Sequence, residues 1–119
     1  MSTEAILDAI FIFTTVADHD AANGLAERLV EQRLAACVHI VPGIKSVYRW
    51  QGKMQRDDEV QLVIKSEASR FDAIEMFLRK HHPYELPEIV AVRVDRGSHE
   101  YLDWIASETQ PGIREEIDR

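Results

Sequence analysis

The chain has 119 residues, 45% hydrophobic and 29% charged, with a formal net charge of −7. That length suits one globular domain over residues 1–119, large enough to bury a core without covalent staples. The acidic balance, with no basic stripe anywhere, excludes nucleic acid and anionic membrane as expected partners, because phosphate binding begins with clustered Lys and Arg.

One cysteine, Cys37, rules out an internal disulfide and fits a reducing compartment. The N-terminus carries Glu4 and Asp8 and no basic segment, so it reads poorly as a signal peptide. Its longest uninterrupted apolar run, Ala9 to Phe13, is far short of the ~20 residues a membrane helix requires. The cytoplasm is therefore the expected location.

Residues 5 to 16 read as a strand whose Ile10, Phe11, Ile12 and Phe13 are apolar on both faces, the pattern of a covered central strand. Asp18 or Asp20 can cap a helix running to about Leu34, with Leu25, Ala26, Leu29, Val30 and Leu34 as its buried stripe. A second strand begins near Ala36, is interrupted at Pro42-Gly43 and resumes as Ile44 to Trp50; Pro-Gly inside a strand predicts a bulge or bend. Gln51-Gly52-Lys53 predicts a hairpin turn into a third strand, where Val60, Leu62 and Ile64 alternate with Gln61 and Lys65.

Ser69 to Asp72 resembles a capping box opening a second helix with Phe71, Ile74, Phe77 and Leu78 on its apolar side. Residues 88 to 95 predict a fourth strand with Val90, Val92 and Val94 on one face. Ser98 can cap a last short helix presenting Tyr101, Trp104 and Ile105, and the tail from Gln110 is expected to be loosely held. The order β-α-β-β-α-β plus a terminal helix is an α+β, ferredoxin-like arrangement. Two helices cover one sheet face there; Tyr48 and Trp50 on a long hairpin predict burial against another copy, hence a homo-oligomer.

"LAACVHIVPGIKSVYRWQGK" (34–53), "EVQLVIKS" (59–66), "HHPYELPEI" (81–89) and "YLDWI" (101–105), in this order, resemble the CutA divalent-cation tolerance family over essentially the whole chain. The resemblance implies a ferredoxin-like subunit, a homotrimer built through sheet edges, a cytoplasmic bacterial protein and no catalytic activity. It also implies tolerance to copper and other divalent ions, copper binding, and a trimer like that of the PII signalling proteins.

Under the resemblance, His81 and His82 fall on the family's proposed copper site. Two further family cysteines are replaced here, by Thr14 at the end of the first strand and by Phe77 in the second helix. Imidazole suits copper well. Adjacent helical residues nevertheless point about 100° apart, and Arg79-Lys80-His81-His82-Pro83 reads equally as a helix ending with its cations near the negative end of the dipole. Tyr48, Trp50, Glu59, Lys65 and Tyr84 lie, in the resembled family, along the cleft between subunits. They suit either a small anion or metabolite, with Lys65 supplying charge, or an interface of aromatics and paired charges.

Cys37 and His39 share one strand face but stand roughly 7 Å apart at their roots, which favours a buried cysteine over a nucleophile and its base. Phosphate loops, nucleophile elbows and paired carboxylates are lacking, so an enzyme is not expected. Three functions remain open: a trimeric ion-tolerance or copper-binding protein, a PII-like small-ligand sensor, and a purely structural trimer.

Overall fold

A computed structural model describes residues 7–110. The elements are β1 (Ala9–Val16), α1 (His19–Glu31), β2 (Cys37–Trp50), β3 (Lys53–Glu67), a 3-10 turn (Ala68–Arg70), α2 (Phe71–His81), β4 (Val90–Arg93) and α3 (His99–Glu108). The strands form one sheet in the order β2-β3-β1-β4, each neighbouring pair antiparallel. The class is α+β, with three helices and a four-stranded antiparallel sheet, as the alternation of patterns predicts. No helix among the described residues is long and apolar enough to cross a membrane.

Strand alternation separates two sheet faces. On one, Ile10, Ile12, Val16, Val60, Leu62 and Ile64 pack beneath α1 and α2 with Leu25, Leu29, Ile74, Phe77 and Leu78 to form the core. On the other, Phe11 pairs with Val92 and Phe13 with Val90. This second face is only partly covered: Lys65 extends over the Phe11 ring and donates to the Tyr101 hydroxyl of α3 at 3.1 Å. Val90 and Val92 remain 50% and 46% exposed. The expectation that β1 is covered on both sides thus holds for one face of the single chain. The second is covered only in part, by Lys65 and Tyr101.

Local chemistry explains several boundaries. Asp18, not Asp20, caps α1 by accepting from the Ala21 N–H at 2.8 Å. The helix ends at Glu31 rather than Leu34 because Arg33 takes a left-handed φ of 59°, reversing the chain. Val30 is consequently exposed, while Leu34 is buried from the turn. The Arg33 side chain then reaches the C-terminal end of α3, donating to the carbonyls of Gln110 at 2.8 Å and Ser107 at 3.1 Å.

The Ser69–Asp72 capping box does not form. The 3-10 turn occupies Ala68–Arg70, and Arg70 precedes α2 without a side-chain cap. Ser98 does cap α3, accepting from the Tyr101 N–H at 3.3 Å. The predicted beginning of β1 at residue 5 and most of the tail from Gln110 lie outside the described residues.

Pro42-Gly43 produces the predicted bulge: the register passes from Val41↔Gln61 to Ile44↔Glu59, so Pro42 and Gly43 on β2 stand against Val60 alone on β3. Gly43 has φ 78°, which a side chain would resist. β1 pairs with β3 only from Val60 to Glu67, so Ile44–Trp50 and Lys53–Glu59 continue as a two-stranded arm. The arm makes the subunit elongated, 57 × 35 × 22 Å.

Thr14 sits in the core face of β1, fully buried, and its Oγ1 has no hydrogen-bond partner among the described residues. An unmatched buried hydroxyl costs about 1–3 kcal/mol. Thr14→Val keeps the branched shape and removes that cost, so thermal unfolding should show a gain of about 1 kcal/mol.

Candidate functional site

Three pieces of chain converge where β1 ends: the C-terminus of α2, the segment 82–88 that follows it, and the base of the β2–β3 arm. Pro83 disfavours helical backbone at the preceding residue, and His82 accordingly turns extended at φ −73°, ψ 134°. This turn swings the His82 ring inward, leaving the residue 7% exposed.

Both ring nitrogens of His82 meet backbone. Nδ1 accepts from the Tyr84 N–H at 3.1 Å, so Nε2 carries the proton and donates to the Thr15 carbonyl at 2.9 Å. Burial lowers the His82 pKa, against smaller opposing effects of the Thr15 bond and the Glu59 charge. The buried ring is therefore a neutral clasp between β1 and the 82–88 segment.

His81 is held differently. Its Nδ1 accepts from the Arg28 guanidinium at 3.2 Å, and its ring packs on Phe77 at 4.6 Å. Desolvation, then the charges of Arg28 and Lys80, lower its pKa. Its Nε2 takes part in no hydrogen bond among the described residues. The two adjacent histidines thus point apart, because His82 has left the helix and turned its ring inward while His81 remains on α2, and only His81 keeps a ring nitrogen outside any hydrogen bond among the described residues.

Beyond His82 opens a groove of about 850 Å³ between the arm and the 83–88 segment. Tyr48, Trp50, Glu59 and Tyr84 all line it. The Tyr84 hydroxyl donates to Glu59 Oε2 at 2.6 Å, and the Tyr48 hydroxyl donates to Asp57. Burial together with the Glu59 bond pushes the Tyr84 phenol far above its ordinary range, while Asp57 is the main cause of the smaller rise at Tyr48. Both tyrosines are fixed donors to carboxylates.

Lys65 does not join this group within the chain. It lies six residues beyond Glu59 along β3, roughly 20 Å away, and is engaged with Phe11 and Tyr101 on the second sheet face. The predicted positive member is missing, so the groove's charge comes from Asp57, Asp58, Glu59, Glu85 and Glu88 against Arg49. Cys37 and His39 share the second face on edge strand β2, with no bond between them.

Sequence reasoning missed Arg28 and Asp57. Nothing local links Arg28 to a histidine 53 positions away. Asp57 was legible in principle: it precedes Glu59 by two on one strand, inside the acidic run Asp57-Asp58-Glu59.

Residues 10–108 match the family model of the CutA1 divalent ion tolerance protein. The chain is 44% identical over 98 residues to the divalent-cation tolerance protein CutA of Thermus thermophilus, covering 82% of this chain and 95% of that protein. It is 39% identical over 109 residues to the chloroplastic Protein CutA 1 of Oryza sativa; this is 92% of the chain but only 62% of the length of that relative. The solved CutA1 structure from Oryza sativa superposes with a TM-score of 0.85 at 39% identity, over 89% of this chain and 97% of that one. Sheet, arm and matched sequence together place the chain among the proteins named for divalent-ion tolerance rather than in some other α+β class. The chain belongs to the CutA1 divalent ion tolerance family.

Proposed function

We propose that this protein acts as a homotrimeric, ferredoxin-like divalent-cation tolerance protein whose only direct offer to a metal ion from the histidine turn is His81. The observation that carries the reading is the Nε2 of His81, outside any hydrogen bond among the described residues, beside a ring, His82, whose two nitrogens are both committed; because Nδ1 accepts from Arg28, this Nε2 carries the ring proton, and an incoming metal must shift it to Nδ1 and displace the Arg28 bond. The residues of one chain do not by themselves fit copper. Among the described residues, no three His, Cys, Asp or Glu side chains gather as a metal site requires. The Thr14 hydroxyl stands where a softer sulfur ligand would be, enclosed in the core. A complete site therefore takes donors from other copies.

The partly covered second face, with Val90, Val92, Tyr101 and Trp104 exposed by 40–50%, supports assembly. A reducing, cytoplasmic setting is part of the same proposal, supported by the use of a single cysteine, Cys37; fractionation of cells carrying the tagged protein tests it.

Titration of the assembled protein with Cu(II) tests the metal reading. Saturable binding should weaken about tenfold or more in His81→Ala, equivalent to losing about 1.4 kcal/mol. Affinity unchanged in that variant removes His81 from the site. A small-ligand sensor is the second reading, favoured by the groove beside Tyr84. A purely structural trimer gains if neither metal nor ligand binds.

A further inference from the structure

The last helix is fastened differently from the other two. α1 and α2 supply core residues such as Leu29 and Leu78, whereas no residue of α3 belongs to that core. Ile105 and Ala106 are nonetheless buried, because α3 lies against the second sheet face, where Tyr101 meets Lys65. Isolated helices shorter than ~12–15 residues are marginal in water. α3 spans 10 residues, so it keeps its shape only while its contacts hold.

Each end of α3 is latched by one cation from elsewhere in the chain. At the first turn, Lys65 donates to the Tyr101 hydroxyl at 3.1 Å and stands 5.4 Å from that ring and 5.3 Å from the Phe11 ring. The last turn carries Glu108 and no basic residue, so its own sequence does nothing to complement the negative end of the dipole. Arg33 supplies that charge from the turn after α1, donating to the Ser107 and Gln110 carbonyls.

The connection into α3 can pivot. Val94 is tied to β1, its N–H donating to the Ala9 carbonyl at 3.0 Å, and Asp95 to Gly97 follow without regular structure.

We propose that α3 is a strap that opens from the second sheet face as a unit, latched by Arg33 and Lys65, while the core beneath α1 and α2 stays folded. Closing it brings Tyr101 and Trp104 onto the same sheet face as Val90 and Val92, so the strap sets how much apolar surface a second copy meets. That consequence rests on the trimer reading; the opening itself does not.

Amide hydrogen exchange of the full chain, read peptide by peptide, tests the strap. Amides of residues 103–108 should exchange about tenfold or more faster than those of β1 and β3 in the wild type. Arg33→Gly is the decisive variant, because glycine accepts the left-handed φ of 59° without strain and keeps the carbonyl that Arg70 uses. It removes only the latch. The expected result is a further acceleration of about tenfold in α3, with β1 and β3 no faster than before. Lys65→Met, which keeps an aliphatic stem over Phe11, should loosen α3 in the same direction and decides alone if Arg33→Gly fails to fold. The proposal is overturned if α3 exchanges in step with β1 and β3 in the wild type. It is overturned equally if Arg33→Gly leaves α3 unchanged, or speeds α3 and the core strands alike as a general loss of stability would.

Discussion

Replacing His82 by Ala is expected to destabilise the folded chain by about 2–4 kcal/mol. The substitution leaves the Tyr84 N–H and the Thr15 carbonyl without their ring partners, each at about 1–3 kcal/mol where water cannot enter freely. It also unties the 82–88 segment from β1, and with it the Tyr84–Glu59 bond. Chemical denaturation of wild type and variant measures the difference. A loss under 0.5 kcal/mol would mean that the clasp is not a structural element.

The same ring sets a pH dependence. The folded state holds His82 neutral and lowers its pKa, chiefly by burial. Above the unfolded value of about 6.5 the clasp contributes in full. Below it the unfolded chain takes up a proton that the folded chain resists, so stability falls as pH drops through the lowered folded value. His81 acts in the same direction through desolvation and Arg28. The slope of stability between pH 7 and 5 should therefore be positive and become shallower in His82→Ala.

Val92→Asp should convert the proposed trimer to a monomer of 13.7 kDa without unfolding it. Val92 lies on an edge strand beside Phe11, 46% exposed in the single chain and outside the core. A carboxylate there costs the isolated subunit little. Buried between copies, the unpaired charge would cost several kcal/mol, more than enough to shift assembly at micromolar concentration. Light scattering coupled to size exclusion reads the mass, and far-ultraviolet circular dichroism reads the fold. A mass three times that of the chain in the variant would place the interface elsewhere.

These experiments meet where sequence reading was strongest and weakest. Alternation in Val60, Leu62 and Ile64, the Asp18 and Ser98 caps, and the Pro42-Gly43 bulge are local signals. Each depends on side-chain period or backbone chemistry within a few residues, so each was legible. The Ser69–Asp72 box was equally local and failed, because a 3-10 turn took its place ahead of α2.

By itself the sequence determined the element order, the α+β class, the aromatic arm and, through four ordered motifs, the family. Those follow from periodicity and turn chemistry that neighbouring residues set among themselves. Only the tertiary structure decided what His81 and His82 face. Pro83 predicted a turn, but that the turned ring would meet Thr15, 67 positions earlier, depends on where β1 ends against α2. The distance between Glu59 and Lys65 was legible, since six residues along one strand span roughly 20 Å; only the tertiary structure showed Lys65 engaged with Phe11 and Tyr101, and the 83–88 segment bringing Glu85 and Glu88 to the groove. Hydrogen bonds and charge neighbourhoods are fixed by long-range packing, which leaves no periodic trace in the residues that make them.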